Sequence, residues 1–175
     1  MMINCVECFP KCNEWILLFL GTFFWSAILY LIRPKLKIEK IVIINENGKD
    51  GIKIKVKNNA LFFNVTNLMV EACIVVGGQT CHLKLDKYDF IMLPPKKGDT
   101  DFHERIFKTH GLENSECYDG IGNIISDDNY VSNLINYEYY IIRIRVHANH
   151  SLSGFGKAFE KKFKWNNEIQ RFEKI

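Results

Sequence analysis

Residues 139–147 read YYIIRIRVH. Along this stretch Tyr140, Ile142, Ile144 and Val146 face one way, and Ile141, Arg143, Arg145 and His147 face the other. Such period-2 alternation is the mark of a strand with one side in a core and one side in water. β-Branched and aromatic residues dominate it, as suits a pleated surface. The stretch therefore predicts a strand of an antiparallel sheet.

The same grammar recurs upstream. Ile52, Ile54 and Val56 alternate with Lys53, Lys55 and Lys57. Leu36 to Ile44 (LKIEKIVII) is the expected preceding strand, with a turn over Asn45 to Gly51 in which Asn47-Gly48 is the sharpest hairpin signal. Leu61 to Val76 predicts one long or two short strands, and Gly77-Gly78 turns the chain into Thr80 to Leu85. Phe90 to Leu93 is a short strand candidate ended by Pro94-Pro95, and Phe102 to Phe107 is another. Residues 111–136 are the least regular, with a short helix expected over Val131 to Ile135, capped by Asp127 or Asp128. A loop over Ala148 to Gly156 should lead to Phe159, Phe163 and Trp165 near a last strand that ends in 169–175. Seven or eight short strands with turn signals between them predict an all-β domain, an antiparallel sandwich or small barrel, Ig-like in general layout.

A different solvent is written at the N-terminus. Residues 15–32 read WILLFLGTFFWSAILYLI, eighteen residues with no formal charge, with Glu14 before and Arg33-Pro34 after. That length just suffices for a helix through a hydrocarbon core of roughly 30 Å. A buried core helix would carry a polar face, and this run has none. A cleaved signal peptide fits poorly with an acidic, Cys-containing leader and with the ILYLI end of the run. Arg33, Lys35, Lys37 and Lys40 crowd the C-terminal flank, whereas the leader sets Lys11 against Glu7 and Glu14. Basic flanks stay in the cytoplasm. The expected organisation is an extracytoplasmic leader over 1–14, one transmembrane helix over 15–32, and a cytoplasmic β-rich domain over 33–175. A bacterial inner membrane, crossed once, is the expected location, and the lipid bilayer is the first expected partner. Gly21, Thr22 and Ser26 are small residues at which two such helices could approach closely, so a homo-oligomer through this segment is a further expectation.

Composition narrows function by exclusion. The 175 residues carry a net charge of +3, too little for nucleic-acid binding by bulk electrostatics. Three of the six cysteines, Cys5, Cys8 and Cys12, lie in the leader, and three thiolates without a fourth ligand do not close a zinc site. The other three are Cys73, Cys81 and Cys117. In a cytoplasmic domain they should be reduced thiols, with Cys73 a small buried hydrophobe. On an oxidising side a Cys73–Cys81 disulfide is the expected pairing. His147 and His150, with Cys81-His82 or His103, have no diagnostic metal spacing, so no metal and no cofactor is expected. Ser153-Gly154 lacks the frame of a nucleophile elbow, and Cys117 with His110 is a pairing that chance supplies. No catalytic frame stands out, and an enzyme is not the expected reading.

One segment gathers polar chemistry. RIRVHANHSLSGFGK, residues 143–157, brings Arg143, Arg145, His147, His150, Ser151, Ser153 and Lys157 to one strand end and the loop after it. Glycines let backbone N–H groups turn toward a ligand, and hydroxyls and ammonium groups add donors, as in an anion nest. Two arginines on one strand face could bracket a phosphate or carboxylate. The plainer alternative is a hairpin loop beside a solvated basic face. A small anionic ligand or a protein partner is the expected occupant.

The PKLKIEKI exit, the IKVKN strand end and the RVHANHSLSGFGKAFEKKF block make the chain resemble small bacterial single-span proteins with a β-rich cytosolic domain. In architecture it is also similar to membrane-anchored effectors of anti-phage signalling, although those cross the membrane two or more times. The resemblance implies a non-enzymatic, membrane-anchored binding or sensor module. The alternative it implies is an oligomerising, membrane-disrupting effector.

Overall fold

The structure is a computed structural model. It describes residues 8–31, 34–46, 49–60, 63–86, 92–96, 104–113, 117–118, 124–126, 130–137, 139–151, 154 and 156–175. The chain divides into two compact units, Met1–Arg33 and Pro34–Ile175.

The first unit holds one helix, α1 (Cys8–Leu31). It begins inside the expected leader and takes in both Cys8 and Cys12. Large apolar side chains stand exposed along it, among them Trp15, Phe19, Phe23, Phe24 and Trp25. Thr22 returns its hydroxyl to the Phe19 carbonyl at 2.9 Å, a local bond that spares it a partner elsewhere. Among the described residues no helix is long and apolar enough to cross a membrane. The transmembrane helix expected over 15–32 is therefore not shown by the structure.

The second unit is β-rich, as the alternation predicts. Its strands are β1 (Leu36–Glu46), β2 (Lys49–Asn58), β3 (Val65–Val76), β4 (Gln79–Leu85), β5 (Glu104–Leu112), β6 (Cys117–Tyr118), β7 (Ile124–Ile125), β8 (Ile141–His150), β9 (Gly156–Asn166) and β10 (Arg171–Lys174). A short helix, α2 (Tyr130–Asn136), lies between β7 and β8. Eight strands form one sheet in the order β1-β2-β5-β4-β3-β8-β9-β10, every pairing antiparallel. The sheet curls until its two ends, β1 and β10, come side by side without pairing. The result is a nearly closed barrel.

Alternation decides which side chains fill it. In β8, Ile142, Ile144, Val146 and Ala148 are buried, while Arg143, Arg145 and His147 are on the outside. In β2 the same holds for Ile52, Ile54 and Val56 against the lysines between them. Each fully buried branched aliphatic contributes about 1.5–3 kcal/mol. β1 departs from simple alternation. Its register shifts between Ile38 and Ile41, so both of these are buried although they have opposite parity. Such a bulge leaves the residues within it outside the ladder.

Two turns show why the sequence folds locally as it does. Gly77 and Gly78 adopt φ of 55° and 85°, and Val76 pairs with Gln79 across them. A two-residue hairpin needs positive φ at both positions, which glycine accepts without strain. Gly51 is a close approach: a Cβ there would lie 2.9 Å from the Thr109 carbonyl oxygen. Beside it the Thr109 hydroxyl accepts from the Ile52 N–H at 2.8 Å and lies 2.7 Å from the Tyr130 hydroxyl, which ties α2 to β2 and β5.

Several boundaries differ from expectation. β5 runs on to Leu112, and Phe102 and His103 lie outside the described residues. Of the candidate strand Phe90 to Leu93, only Met92 and Leu93 are described, and Leu93 makes a single bridge to Val65. Asp127 and Asp128, the expected caps of α2, also lie outside them. The expected loop over Ala148 to Gly156 is shorter, because Ala148 pairs with Lys157 and Asn149 with Gly156. Cys81 is disulfide-bonded to Cys117, with Cα atoms 5.9 Å apart, and Cys73 is a buried free thiol. This corrects both the Cys73–Cys81 pairing and the expectation of a reduced Cys81 and Cys117. Cys73 pairs across the sheet with His82 and Arg143, on the outward side of β3, so its thiol points away from Cys117.

Candidate functional site

The segment 143–157 is split by its own strand geometry. Arg143, Arg145 and His147 point outward from β8. His150 has the opposite parity and is buried, with its ring edge-on to Phe63 at 4.6 Å. Burial holds its imidazole below the ordinary histidine value. His147 and His150 thus lie on opposite faces and cannot share a ligand. Ser151 is exposed in the turn after β8, and Ser153 lies outside the described residues. Lys157 sits 5.0 Å from the centre of the Phe159 ring, a cation–π arrangement.

The two arginines are already engaged. Arg145 donates to the Glu160 carboxylate through Nε and Nη2 at 3.2 and 2.8 Å. That bond holds the guanidinium above and the carboxyl below their ordinary values. Glu71 flanks Arg145 from β3, so a Glu71–Arg145–Glu160 row crosses three strands. His147 stands 3.8 Å from Glu71. Arg143 donates through Nε to the Cys73 sulfur at 3.3 Å. An anion arriving at this face would have to compete with carboxylates in place. Cys117 and His110 are not a catalytic pair either: Cys117 is in a disulfide, and His110 is bonded to Asp86.

A second basic region lies elsewhere, where the barrel fails to close. Between β1 and the β9–β10 hairpin runs a cleft of about 680 Å³. Lys37, Lys40, Lys55, Lys161, Arg171 and Lys174 line it, against only two acids, Glu39 and Glu173. Ile38, Phe163 and Phe172 form its apolar floor. A smaller depression of about 240 Å³ continues along the same seam past Trp165 and Gln170.

Lys161 is central to this cleft. β9 carries Lys157, Phe159, Lys161, Phe163 and Trp165 on one parity, and Lys161 pairs across to the core residue Ile144. Its stem therefore starts from an inward-facing position, and its ammonium reaches across the seam to donate to the Ile38 carbonyl at 2.7 Å. That carbonyl sits at the edge of the β1 bulge. Burial pushes the Lys161 ammonium below its ordinary value, and the charges of Lys174 and Lys37 push the same way, opposed by Glu39. Glu39 is itself 3.3 Å from Lys57, and Lys55 is bonded to Glu104. Arg171 and Glu173 are 3.7 Å apart. Lys37, Lys40, Lys161 and Lys174 have no carboxylate partner among the described residues.

Comparison with protein-family models and with curated proteins finds no match.

Unneutralised ammonium groups over an apolar floor suit an anion with an organic body. Sequence reasoning missed the cleft because its residues span 37–174 and meet only when the sheet curls. One signal was present: lysines interleaved with aromatics at period 2 over 157–165 place a cation at a core-facing position.

Proposed function

We propose that the chain is a non-enzymatic, membrane-anchored binding or sensor module whose β domain takes an anionic ligand in the seam cleft. The observation that carries this reading is the group of four lysines without carboxylate partners, among the described residues, at the unpaired seam of the barrel. A protein stores like charges side by side at a cost, and the cost is recovered when an opposite charge arrives. The anchor reading is supported by the uncharged run at 15–32 and by the exposed apolar side chains of α1. The basic flank Arg33 to Lys40 supports a domain on the cytoplasmic side. A second reading, with the domain on an oxidising side, is favoured by the Cys81–Cys117 disulfide. Alkaline phosphatase fused after Ile175, which is active only on an oxidising side, separates the two: activity supports the second reading and inactivity the first.

Binding itself is testable on the full chain in lipid nanodiscs. Saturable binding of citrate or tripolyphosphate is expected at moderate salt, weakened at least about tenfold by Lys161→Glu, which reverses the charge at the centre of the cleft. Equal binding by wild type and variant would refute the reading.

A further inference from the structure

We infer that the ligand of the seam cleft is a phosphate-rich anion, a polyphosphate group carrying several charges, held jointly by β1, β9 and β10. The inference rests on the anionic-ligand reading above and sharpens it to one chemistry.

Three features fit a phosphate-rich anion. First, the cations converge from three strands: Lys37 from β1, Lys161 from β9 and Lys174 from β10. Lys37 and Lys174 each lie near enough to act on the Lys161 charge. A single carboxylate neutralises one of them, whereas a polyphosphate neutralises all three. Second, the cations without carboxylate partners are lysines. An ammonium is a compact point charge with three donors and takes a phosphate oxygen from any direction. The cleft arginine, Arg171, is already beside Glu173. Third, the cleft has room beyond the charges, since about 680 Å³ over Ile38, Phe163 and Phe172 can hold an organic moiety attached to the phosphate.

The geometry also gives the ligand mechanical work. β1 and β10 are the two ends of the sheet and are not hydrogen-bonded to each other. Among the described residues the Lys161 ammonium on the Ile38 carbonyl is the side-chain hydrogen bond seen across this seam. A polyphosphate gripped by Lys37 on one edge and Lys174 on the other clasps the edges together. β1 is the strand that follows the apolar N-terminal run in sequence, with four residues between Ile32 and Lys37. Occupancy of the cleft is thereby felt by the strand covalently closest to the anchor.

The polyphosphate group could belong to a free nucleotide or to a phosphorylated lipid headgroup, and the test separates them. The full chain is placed in phosphatidylcholine nanodiscs and titrated with tripolyphosphate. Saturable binding is expected, weakened at least about tenfold in Lys37→Gln/Lys174→Gln and changed less than about twofold in Arg143→Gln/Arg145→Gln. Both cleft positions are exposed, so the first variant folds, which its thermal melt confirms. Repeating the titration in nanodiscs containing phosphatidylinositol 4,5-bisphosphate identifies the source. A weaker apparent affinity for tripolyphosphate there supports a headgroup in the cleft, and an unchanged affinity supports a free ligand. Citrate binding with the same lysine dependence, but no tripolyphosphate binding, overturns the phosphate assignment and leaves the anion site standing. Binding of neither overturns both, and equal loss in the two double variants overturns the location.

Discussion

The two flanks of the barrel differ in how they are shut. On one flank β4 pairs with β5, Leu83 to Leu112 and Leu85 to Thr109. Just beyond that pairing the Glu113 N–H donates to the His82 carbonyl at 2.9 Å, and Cys81 is bonded to Cys117. On the other flank β1 and β10 lie side by side unpaired, with Lys161 of β9 bonded to the β1 backbone and like charges lining the seam. One flank is closed by backbone bonds and a covalent link, and the other is left unpaired. The proposed function puts binding on the open flank and leaves stability to the closed one, so substitutions that damage one should spare the other.

The largest expected effect is on the closed flank. Replacing Cys81 and Cys117 together with serine should cost about 2–4 kcal/mol, by removing a link between residues 36 apart in sequence. A melting temperature lower by roughly 5–12 °C is the expected reading by calorimetry, with tripolyphosphate affinity little changed. A variant that melts normally but no longer binds would break the division of labour.

Next in size is the pH response of the open flank. Lys161 is held below its ordinary value in the fold, so the folded chain sheds this proton before the unfolded chain does. The unfolded chain then binds more protons, and stability contributed by this group rises with pH between the folded value and the ordinary one near 10.5. Lys161→Met should flatten this rise in thermal melts taken across the alkaline range. At neutral pH its melting temperature should stay within ~3 °C of wild type, because the lost bond to Ile38 is offset by relief of a half-buried charge. A steep loss of stability at neutral pH would show that the lysine closes the seam rather than waits in it.

Smallest is the effect of Lys174→Gln alone. It removes one of the two charges that push on Lys161, so the unliganded chain should melt at the same temperature or about 1 °C higher. A drop would mean that Lys174 makes a stabilising contact of its own.

What the sequence disclosed follows from where alternation is clean. Over 52–57 in β2 and 142–148 in β8, apolar residues alternate with charged or polar ones, and burial follows that pattern residue by residue. β1 is less legible because Ile38, Ile41, Val42, Ile43 and Ile44 offer apolar groups at both parities, so nothing marks the bulge. β9 was blurred into a loop and a strand end. Its first residues are exposed, and lysines occupy inward positions, so the alternation reads as disorder of pattern. The pairing of Cys81 with Cys117 was illegible for a different reason: residues far apart in sequence choose partners only in three dimensions. The site was the least legible. RIRVHANHSLSGFGK concentrates cations in sequence, but β3 and β9 bring Glu71 and Glu160 to neutralise them. The seam lysines are scattered in sequence and concentrated in space.

The unpaired edges of β1 and β10 bear on how many copies of the chain can share a surface. An open strand edge is a template for the edge of another molecule, and lysines along it are a common deterrent. Lys37, Lys40 and Lys174 set like charge along these edges, so the edge of one copy repels the edge of another. Under the proposed reading, an anion settling among them lowers that repulsion, and the joining of neighbouring sheets becomes tied to the supply of the ligand.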